Sequence, residues 1–247
     1  MGIRSEVAHR PWPLPRGTWV MAQSWHDLLF AHWPIQPATL RAALPSGLEL
    51  DTFEGRAWLG VVPFRMSGVR LRWSPPLPGL SAFPELNVRT YARIGDRPGV
   101  FFFSLDARSA LAVAIARAWF HLPYFRARMS CVQEGETVRY AHARTDARAA
   151  GGALDVAYRP SGEVFLARAG TLEHWLTERY CLYAAEPDGR VWRADIHHRP
   201  WPLQPAEATF ERNTVARAQG FELPPAEPLL HFAKRQDTLV WRPKRVL

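Results

Sequence analysis

The stretch Glu85-Leu86-Asn87-Val88-Arg89-Thr90-Tyr91 alternates side chains that carry a polar group with mainly apolar ones. Successive side chains of a β-strand point to opposite faces of the sheet, so Glu85, Asn87, Arg89 and Tyr91 share one face of a predicted strand and the residues between them share the other. One interpretation is an outer face in contact with solvent. If the strand instead belongs to a closed barrel, the polar row lines the interior, where an acid, an amide and a guanidinium would make a site for a small polar ligand.

Outward from this stretch, short apolar runs bounded by Pro, Gly and Asp predict about a dozen strands and two or three helices. The predicted strands are residues 25–33, 48–53, 56–64, 85–94, 99–105, 126–133, 137–145, 154–159, 179–185, 190–197 and 229–241. Hairpins are expected around the turns 54–55, 95–98 and 187–189. The predicted helices are 37–43, a segment from Asp106 or Ser109 to residues 121–123, and a segment capped by Thr171 that runs to about Glu178.

The helices do not alternate with the strands, which argues against a doubly wound parallel sheet. The expected fold class is α+β, mainly β, with an antiparallel barrel-like sheet and a few flanking helices. A chain of 247 residues with 47% hydrophobic and 22% charged residues has the balance of an ordinary globular protein. One core can serve this length, so a single domain over residues 1–247 is expected.

The composition of the chain bears on its cellular compartment and its partners. No apolar run approaches the roughly 18 residues that a membrane-spanning helix needs, and charged residues fill the N-terminal region where a signal peptide would be apolar. The only two cysteines, Cys131 and Cys181, are too few for a disulfide scaffold, so a cytoplasmic setting is expected.

The formal charge of +8 comes from arginines interleaved with acids, which favours a solvated surface over nucleic-acid binding. The basic tail 234–245 is the exception, and a homo-oligomer is left open.

The sequence lacks the common catalytic signatures: no G-x-S-x-G elbow, phosphate-binding loop, H-E-x-x-H pair or dinucleotide fingerprint is present. No cofactor is expected. His197 and His198 are adjacent on a predicted strand and would point to opposite faces, so no metal site is expected either. The segment 116–124 runs from a helix into a proline turn and could present His121 or Tyr124 to a cavity, although capping of the helix is the favoured role for His121.

Several segments, in order along the chain, carry a family resemblance. They are Thr39-Leu40-Arg41, Leu44-Pro45, Leu48-Glu49-Leu50, the stretch from Glu85 to Tyr91, Gly99-Val100, Phe103-Ser104-Leu105-Asp106, Ala116-Arg117, Leu122-Pro123-Tyr124, Leu176-Thr177-Glu178-Arg179-Tyr180, Ile196-His197-His198 and Pro200-Trp201. Together they resemble the YqjF-like family of uncharacterised bacterial proteins, in the acetoacetate decarboxylase-like superfamily. The resemblance implies a barrel-like β fold with a central pocket for a small organic acid or carbonyl compound.

The same resemblance places the superfamily's Schiff-base lysine on Tyr124 and its neighbouring cation on Phe125, while the pocket acid corresponds to Glu85. A phenol cannot form an iminium, so Schiff-base decarboxylation is excluded unless Lys234 or Lys244, the only two lysines, folds into the pocket.

The preferred hypothesis is a pocket in which Arg89, with Arg117 or Arg179, pairs a ligand carboxylate. Glu85 and Tyr124 would handle a carbonyl or hydroxyl. The remaining candidate ligand-binding residues are Asn87, His121, His197 and His198. Two alternatives stay open. One is a lysine-independent enzyme for aldol, dehydration or hydrolytic chemistry, with Glu85 as general base. The other is a non-catalytic ligand sensor or interaction module that uses the Pro-Trp segments.

Overall fold

The computed structural model describes residues 2–77, 79, 81–109, 113, 117, 121–186 and 188–247. Most of them belong to one large sheet. Its strands are β1 (Met21–Ile35), β2 (Glu49–Leu50), β3 (Ala57–Leu71), β4 (Phe83–Ile94), β5 (Arg97–Ala107), β6 (Tyr124–Glu134), β7 (Thr137–Arg144), β8 (Ala153–Pro160), β9 (Phe165–Leu166), β10 (Cys181–Ala185), β11 (Val191–His197), β12 (Pro202–Asn213), β13 (Leu229–Val240) and β14 (Lys244–Arg245). Two α-helices are described, α1 (Pro37–Ala42) and α2 (Leu172–Thr177), with 3₁₀ turns at Ile3–Ser5 and Arg217–Gln219.

The strands follow the order β14-β11-β10-β5-β6-β7-β8-β12-β13-β1-β3-β4-β2, with β9 on β12 and further pairings of β4 with β5 and β11 with β13. Most neighbours are antiparallel, but β5 pairs in parallel with both β6 and β10. The prediction of a mainly β chain is confirmed. The expectation of an antiparallel sheet needs correction, because these two parallel pairings make the sheet mixed.

Two predicted hairpins are confirmed. β4 and β5 pair from Glu85–Ala107 to Ile94–Arg97 around Gly95, whose φ of 58° suits the tight turn. β10 and β11 pair from Cys181–Asp195 to Ala185–Val191. The helix predicted after Thr171 also forms as α2, and the Thr171 side chain accepts a hydrogen bond from the backbone N–H of His174.

Two other local predictions differ from the structure. The segments 48–53 and 56–64 do not form a hairpin beyond one bridge between Phe53 and Arg56, because β2 pairs with β4 instead of β3. β12 was not predicted, since two prolines interrupt a run that is polar at alternate positions, and it pairs with β8 and β13. The helix predicted before residues 121–123 falls mostly outside the described residues.

The two faces of β4 have different neighbours. Leu86 and Val88 are fully buried in a core that also contains Leu29 and Tyr140. The other face is not exposed to solvent, since Glu85 and Asn87 are only 2% and 4% exposed. The alternation therefore separates a hydrophobic core from a second interior face. No helix in the described part of the chain is long and apolar enough to cross a membrane.

Candidate functional site

A cavity of about 90 Å³ lies against the polar face of β4. One water needs roughly 10–15 Å³ on the same measure, so the space suits a small organic molecule. Its polar lining consists of Gln23, Glu85, Asn87, Arg89, Tyr124, Thr177, Arg179 and His198. Its apolar lining includes Leu28, Val62, Phe64, Leu105, Leu122 and Trp201. A mostly apolar wall with a few converging polar groups is typical of a ligand site.

Glu85 and Tyr124 form a buried pair in this cavity. The Tyr124 hydroxyl donates to Glu85 Oε2 at 2.7 Å, and the Tyr140 hydroxyl donates to the Glu85 backbone carbonyl at 2.7 Å. Burial raises the pKa of Glu85 to about 8; the hydrogen bond from Tyr124 opposes this rise and the nearby Asp106 carboxylate adds to it. Burial also raises the pKa of Tyr124 well above its ordinary value. At neutral pH both groups are therefore protonated. Tyr124 donates its proton to Glu85, which leaves the Glu85 proton for another acceptor.

The sheet itself brings these two side chains together. Asn87 on β4 pairs with Leu105 on β5, and Leu105 pairs in parallel with Tyr124 at the start of β6. Tyr124 thus lies two strands away from β4, close enough for its hydroxyl to reach the Glu85 carboxyl group.

Arg89 supplies the positive charge of the cavity. Its Nη2 donates to the Tyr91 hydroxyl at 3.4 Å, and its Cζ lies 5.3 Å from the centre of the Phe30 ring. Among the described residues, no carboxylate forms an ion pair with it. The neighbouring Asn87 Oδ1 is buried and has no hydrogen-bond partner in the described part of the chain. An unpaired guanidinium beside an unsatisfied amide indicates room for a polar ligand.

The Arg89 side chain is positioned by Tyr91, His32 and Gly60. His32 Nε2 lies 2.7 Å from the Tyr91 hydroxyl, so that hydroxyl is held between the imidazole and the guanidinium. A Cβ at Gly60 would lie 3.1 Å from His32 and 3.3 Å from Arg89 Cγ. Glycine at this position lets the Arg89 side chain lie close against β3.

Arg179 and His198 line the cavity with most of their polar atoms already engaged. Arg179 Nη1 donates to Asp51 at 2.6 Å, and the guanidinium lies 4.3 Å from the centre of the Trp175 ring. The two ring nitrogens of His198 face the backbone carbonyls of Arg179 and Arg199 at 3.1 and 2.7 Å. Burial lowers the pKa of His198. These two residues therefore contribute to the shape of the cavity, but neither gives it an unpaired charge.

Comparison with known proteins adds the family. The DUF2071 model, described as an uncharacterized conserved protein, matches residues 22–237. The chain belongs to this family. Among curated relatives, the uncharacterized protein YqjF of Bacillus subtilis (strain 168) is 49% identical over 228 residues, which cover 92% of this chain and 93% of that protein.

Solved structures similar to this DUF2071 protein share its fold at low sequence identity. Acetoacetate decarboxylase from Legionella pneumophila has a TM-score of 0.60 and 16% identity, covering 99% of this chain and 95% of that one. The enduracididine biosynthesis enzyme MppR, solved in complex with pyruvate, has a TM-score of 0.63 and 13% identity over 93% and 91% of the two chains. An acetoacetate decarboxylase-like enzyme from Sphingomonas wittichii RW1 has a TM-score of 0.62 and 15% identity over 94% of each.

Three candidate residues of the DUF2071 protein lie outside the cavity lining. Arg117 Nη1 donates to the Tyr124 backbone carbonyl at 3.1 Å. His121 is 2.9 Å from Glu186 and stacks on Trp192. His197 Nε2 faces the Ile3 carbonyl at 2.8 Å. Each of these side chains has a partner within the protein.

Neither lysine reaches the cavity. Lys234 Nζ pairs with Asp27 at 2.7 Å, and Lys244 is exposed on β14. No group of three or more His, Cys, Asp or Glu residues in the described ranges could hold a metal ion.

Sequence reasoning missed Gln23, Thr177 and the buried pair of Asp106 and Arg144. Gln23 follows an alternation with Met21 and Trp25 that could have marked it as facing the interior. The Asp106 and Arg144 side chains form two hydrogen bonds of 2.7 Å and are fully buried. Nothing local in the sequence indicates that pair, since its members lie on β5 and β7.

Proposed function

We propose that the cavity binds a small organic acid or carbonyl compound, with Arg89 pairing the ligand carboxylate. The observation that carries this proposal is the unpaired Arg89 guanidinium. Other charges around the cavity have partners within the described residues, since Asp51 pairs with Arg179 and Asp106 with Arg144. A monoanion would supply the charge that Arg89 lacks, in the two-pronged geometry that arginine favours.

Glu85 and Tyr124 serve as the second contact point. Because the Tyr124 proton is donated to Glu85, protonated Glu85 can donate a hydrogen bond to a carbonyl or hydroxyl oxygen of the ligand, and the Tyr124 oxygen can accept from a ligand hydroxyl. The complex of MppR with pyruvate supports the same chemical class, because it has an oxo acid bound within a similar fold.

Schiff-base decarboxylation is not part of the proposed function. Tyr124 occupies the position that the superfamily resemblance assigns to the lysine, and both lysines of this chain have places away from the cavity. Borohydride treatment in the presence of pyruvate or acetoacetate should leave the protein mass unchanged. A covalent adduct on Lys234 or Lys244 would overturn this part of the proposal.

Catalysis without lysine is the second candidate function. A carboxyl group with a pKa of about 8 is close to the pH at which proton transfer to or from a substrate is efficient. Glu85 would then act as acid or base and Tyr124 as a donor to the developing oxyanion. Turnover in an oxo-acid panel that falls at least a hundredfold in Glu85→Gln would support this role, and unchanged turnover would exclude it.

The binding proposal is tested by calorimetry with carboxylates and their uncharged amides. Carboxylates should bind and amides should not, and Arg89→Gln should weaken carboxylate binding tenfold or more. Arg93→Gln is the matched control, since Arg93 lies on the same strand but is exposed and pairs with Glu49 on the surface. Equal binding of acids by wild type and Arg89→Gln would refute the assignment of Arg89.

Two further proposals concern the shape of the sheet and the cellular compartment. The sheet is proposed to close around the cavity as a barrel, because β4–β5 and β11–β13 pair in addition to the main strand order. A reducing, cytoplasmic compartment is proposed because Cys131 and Cys181 are both free thiols.

A further inference from the structure

The polar groups of the cavity are widely spaced along β4. Glu85 and Arg89 are four residues apart on one face, so their α-carbons are separated by about 13 Å in an extended strand. The Arg89 guanidinium lies against Tyr91, the residue on the same face that is farther from Glu85. A two- to four-carbon acid that pairs with Arg89 would therefore leave the Glu85–Tyr124 pair without a contact.

The wall between these two polar ends is mainly apolar. On one neighbouring strand Val62 pairs with Asn87 and Phe64 pairs with Glu85, while on the other Leu105 pairs with Asn87. All three apolar side chains line the cavity, and each is nearly or fully buried. Asn87 is the only polar residue between Glu85 and Arg89 on this face of β4. Such a wall stabilises hydrocarbon rather than a second charged group.

Charge limits the ligand to one carboxylate. Arg179 also lines the cavity, but Asp51 already pairs with its guanidinium at 2.6 Å. Arg89 is the one cation lining the described cavity that has no carboxylate partner. A second carboxylate placed beside protonated Glu85 would be desolvated without a cation to pair with it.

From these three observations we infer that the ligand is a monocarboxylic acid with a hydrocarbon chain of about five to eight carbons. At roughly 1.2 Å per bond such a chain reaches about 5–8 Å, and a hydrogen-bond contact of about 3 Å at each end brings the total close to the separation of about 13 Å. Its carboxylate lies at Arg89, its chain follows Val62 and Leu105, and an uncharged oxo or hydroxyl oxygen near the far end accepts from the Glu85 carboxyl group. This inference rests on the proposed binding of a carboxylate by Arg89.

A chain-length series tests the inference by calorimetry on the full-length protein. Acetate, butyrate, hexanoate and octanoate should bind with increasing affinity, by about fourfold for each added methylene. At equal chain length, 5-oxohexanoate should bind about fivefold more tightly than hexanoate, because its ketone can accept a buried hydrogen bond. Affinity that is flat or falls with chain length overturns the inference, as does hexanoate binding equal to or tighter than 5-oxohexanoate.

The two proposals fail in distinguishable ways. If acetate and butyrate bind as tightly as hexanoate and Arg89→Gln abolishes that binding, the carboxylate site stands and the chain-length inference is wrong. If the longer acids bind equally well to Arg89→Gln, the binding is unspecific hydrophobic adsorption and both proposals are wrong.

A second variant tests where the hydrocarbon chain of the ligand lies. Leu105→Phe adds volume beside Asn87 and should weaken hexanoate at least tenfold while leaving acetate binding unchanged. Circular dichroism shows whether this variant folds, and the wild-type series decides the question if it does not. Undiminished hexanoate binding by folded Leu105→Phe would contradict the proposed path.

Discussion

Replacing Glu85 by glutamine should change how the stability of this protein depends on pH. Glutamine keeps an acceptor for the Tyr124 hydroxyl and nearly the same volume, but it removes the titrating proton. The contact of 2.7 Å between Tyr124 and Glu85 can therefore survive in the variant. Any pH-dependent difference between the two proteins then reports on the carboxyl group.

The size of the effect follows from the pKa of Glu85, which is about 8 in the fold and 4.5 without the protein environment. Between these values the folded state holds a proton that the unfolded state releases. The stabilising contribution is thus fully present below pH 4.5 and is lost as the pH rises toward 8. The expected slope is about 1.4 kcal/mol per pH unit, or ~5 kcal/mol across the window.

Urea unfolding of wild type and Glu85→Gln at half-unit steps from pH 5 to 9 measures this slope as a difference between the two free energies of unfolding. Subtracting one curve from the other cancels the other titrating groups. Glu163→Gln, at an exposed site before β9, controls for the chemical change itself. A difference between wild type and Glu85→Gln that stays constant from pH 5 to 8 would refute the reasoning that burial keeps Glu85 protonated.

Three other outcomes are expected. The preference for 5-oxohexanoate over hexanoate should disappear above about pH 8, where ionised Glu85 has no proton to donate, and calorimetry at pH 6.5 and 9 measures it. Gly99→Ala should lower the free energy of unfolding by about 2–3 kcal/mol, because its Cβ would lie 2.6 Å from the Cys181 carbonyl oxygen, whereas Gly151→Ala meets nothing within 4 Å and serves as control. Burial raises the pKa of Cys131 to about 11 and that of Cys181 to about 12, so neither should react with a thiol reagent at pH 8 until urea unfolds the chain.

The polar row of β4 can be predicted from the sequence, because the alternation of side chains between two faces depends only on residues within the strand. Alternation alone could not say whether Glu85 and Asn87 face solvent or an interior, since that depends on where β5 and β6 lie. The contact of Tyr124 with Glu85 arises from a parallel pairing between strands that are separated by a helix in the prediction. Here the family resemblance, rather than any spacing in the sequence, brought the two residues together.

Other parts of the site depend on partners that are distant along the chain. Arg179 was a reasonable candidate for a ligand carboxylate, but Asp51, which pairs with it, lies 128 residues away. His197 and His121 likewise have partners in the N-terminal segment and in the loop after β10. A buried arginine or histidine can be proposed from sequence, whereas the neutralisation of its charge is settled only by the fold.

The charges around the cavity explain why its ligand preference should change with pH. Asp51 neutralises Arg179, Arg144 neutralises Asp106, and protonated Glu85 carries no charge, so Arg89 leaves the described lining with one unbalanced positive charge at neutral pH. A monocarboxylate removes that imbalance. Once Glu85 ionises above about pH 8, the protein supplies the negative charge itself, and a bound acid adds an excess anion to a poorly solvated space. Acid binding and the ionisation of Glu85 therefore oppose each other, even though the two groups lie at opposite ends of the polar row.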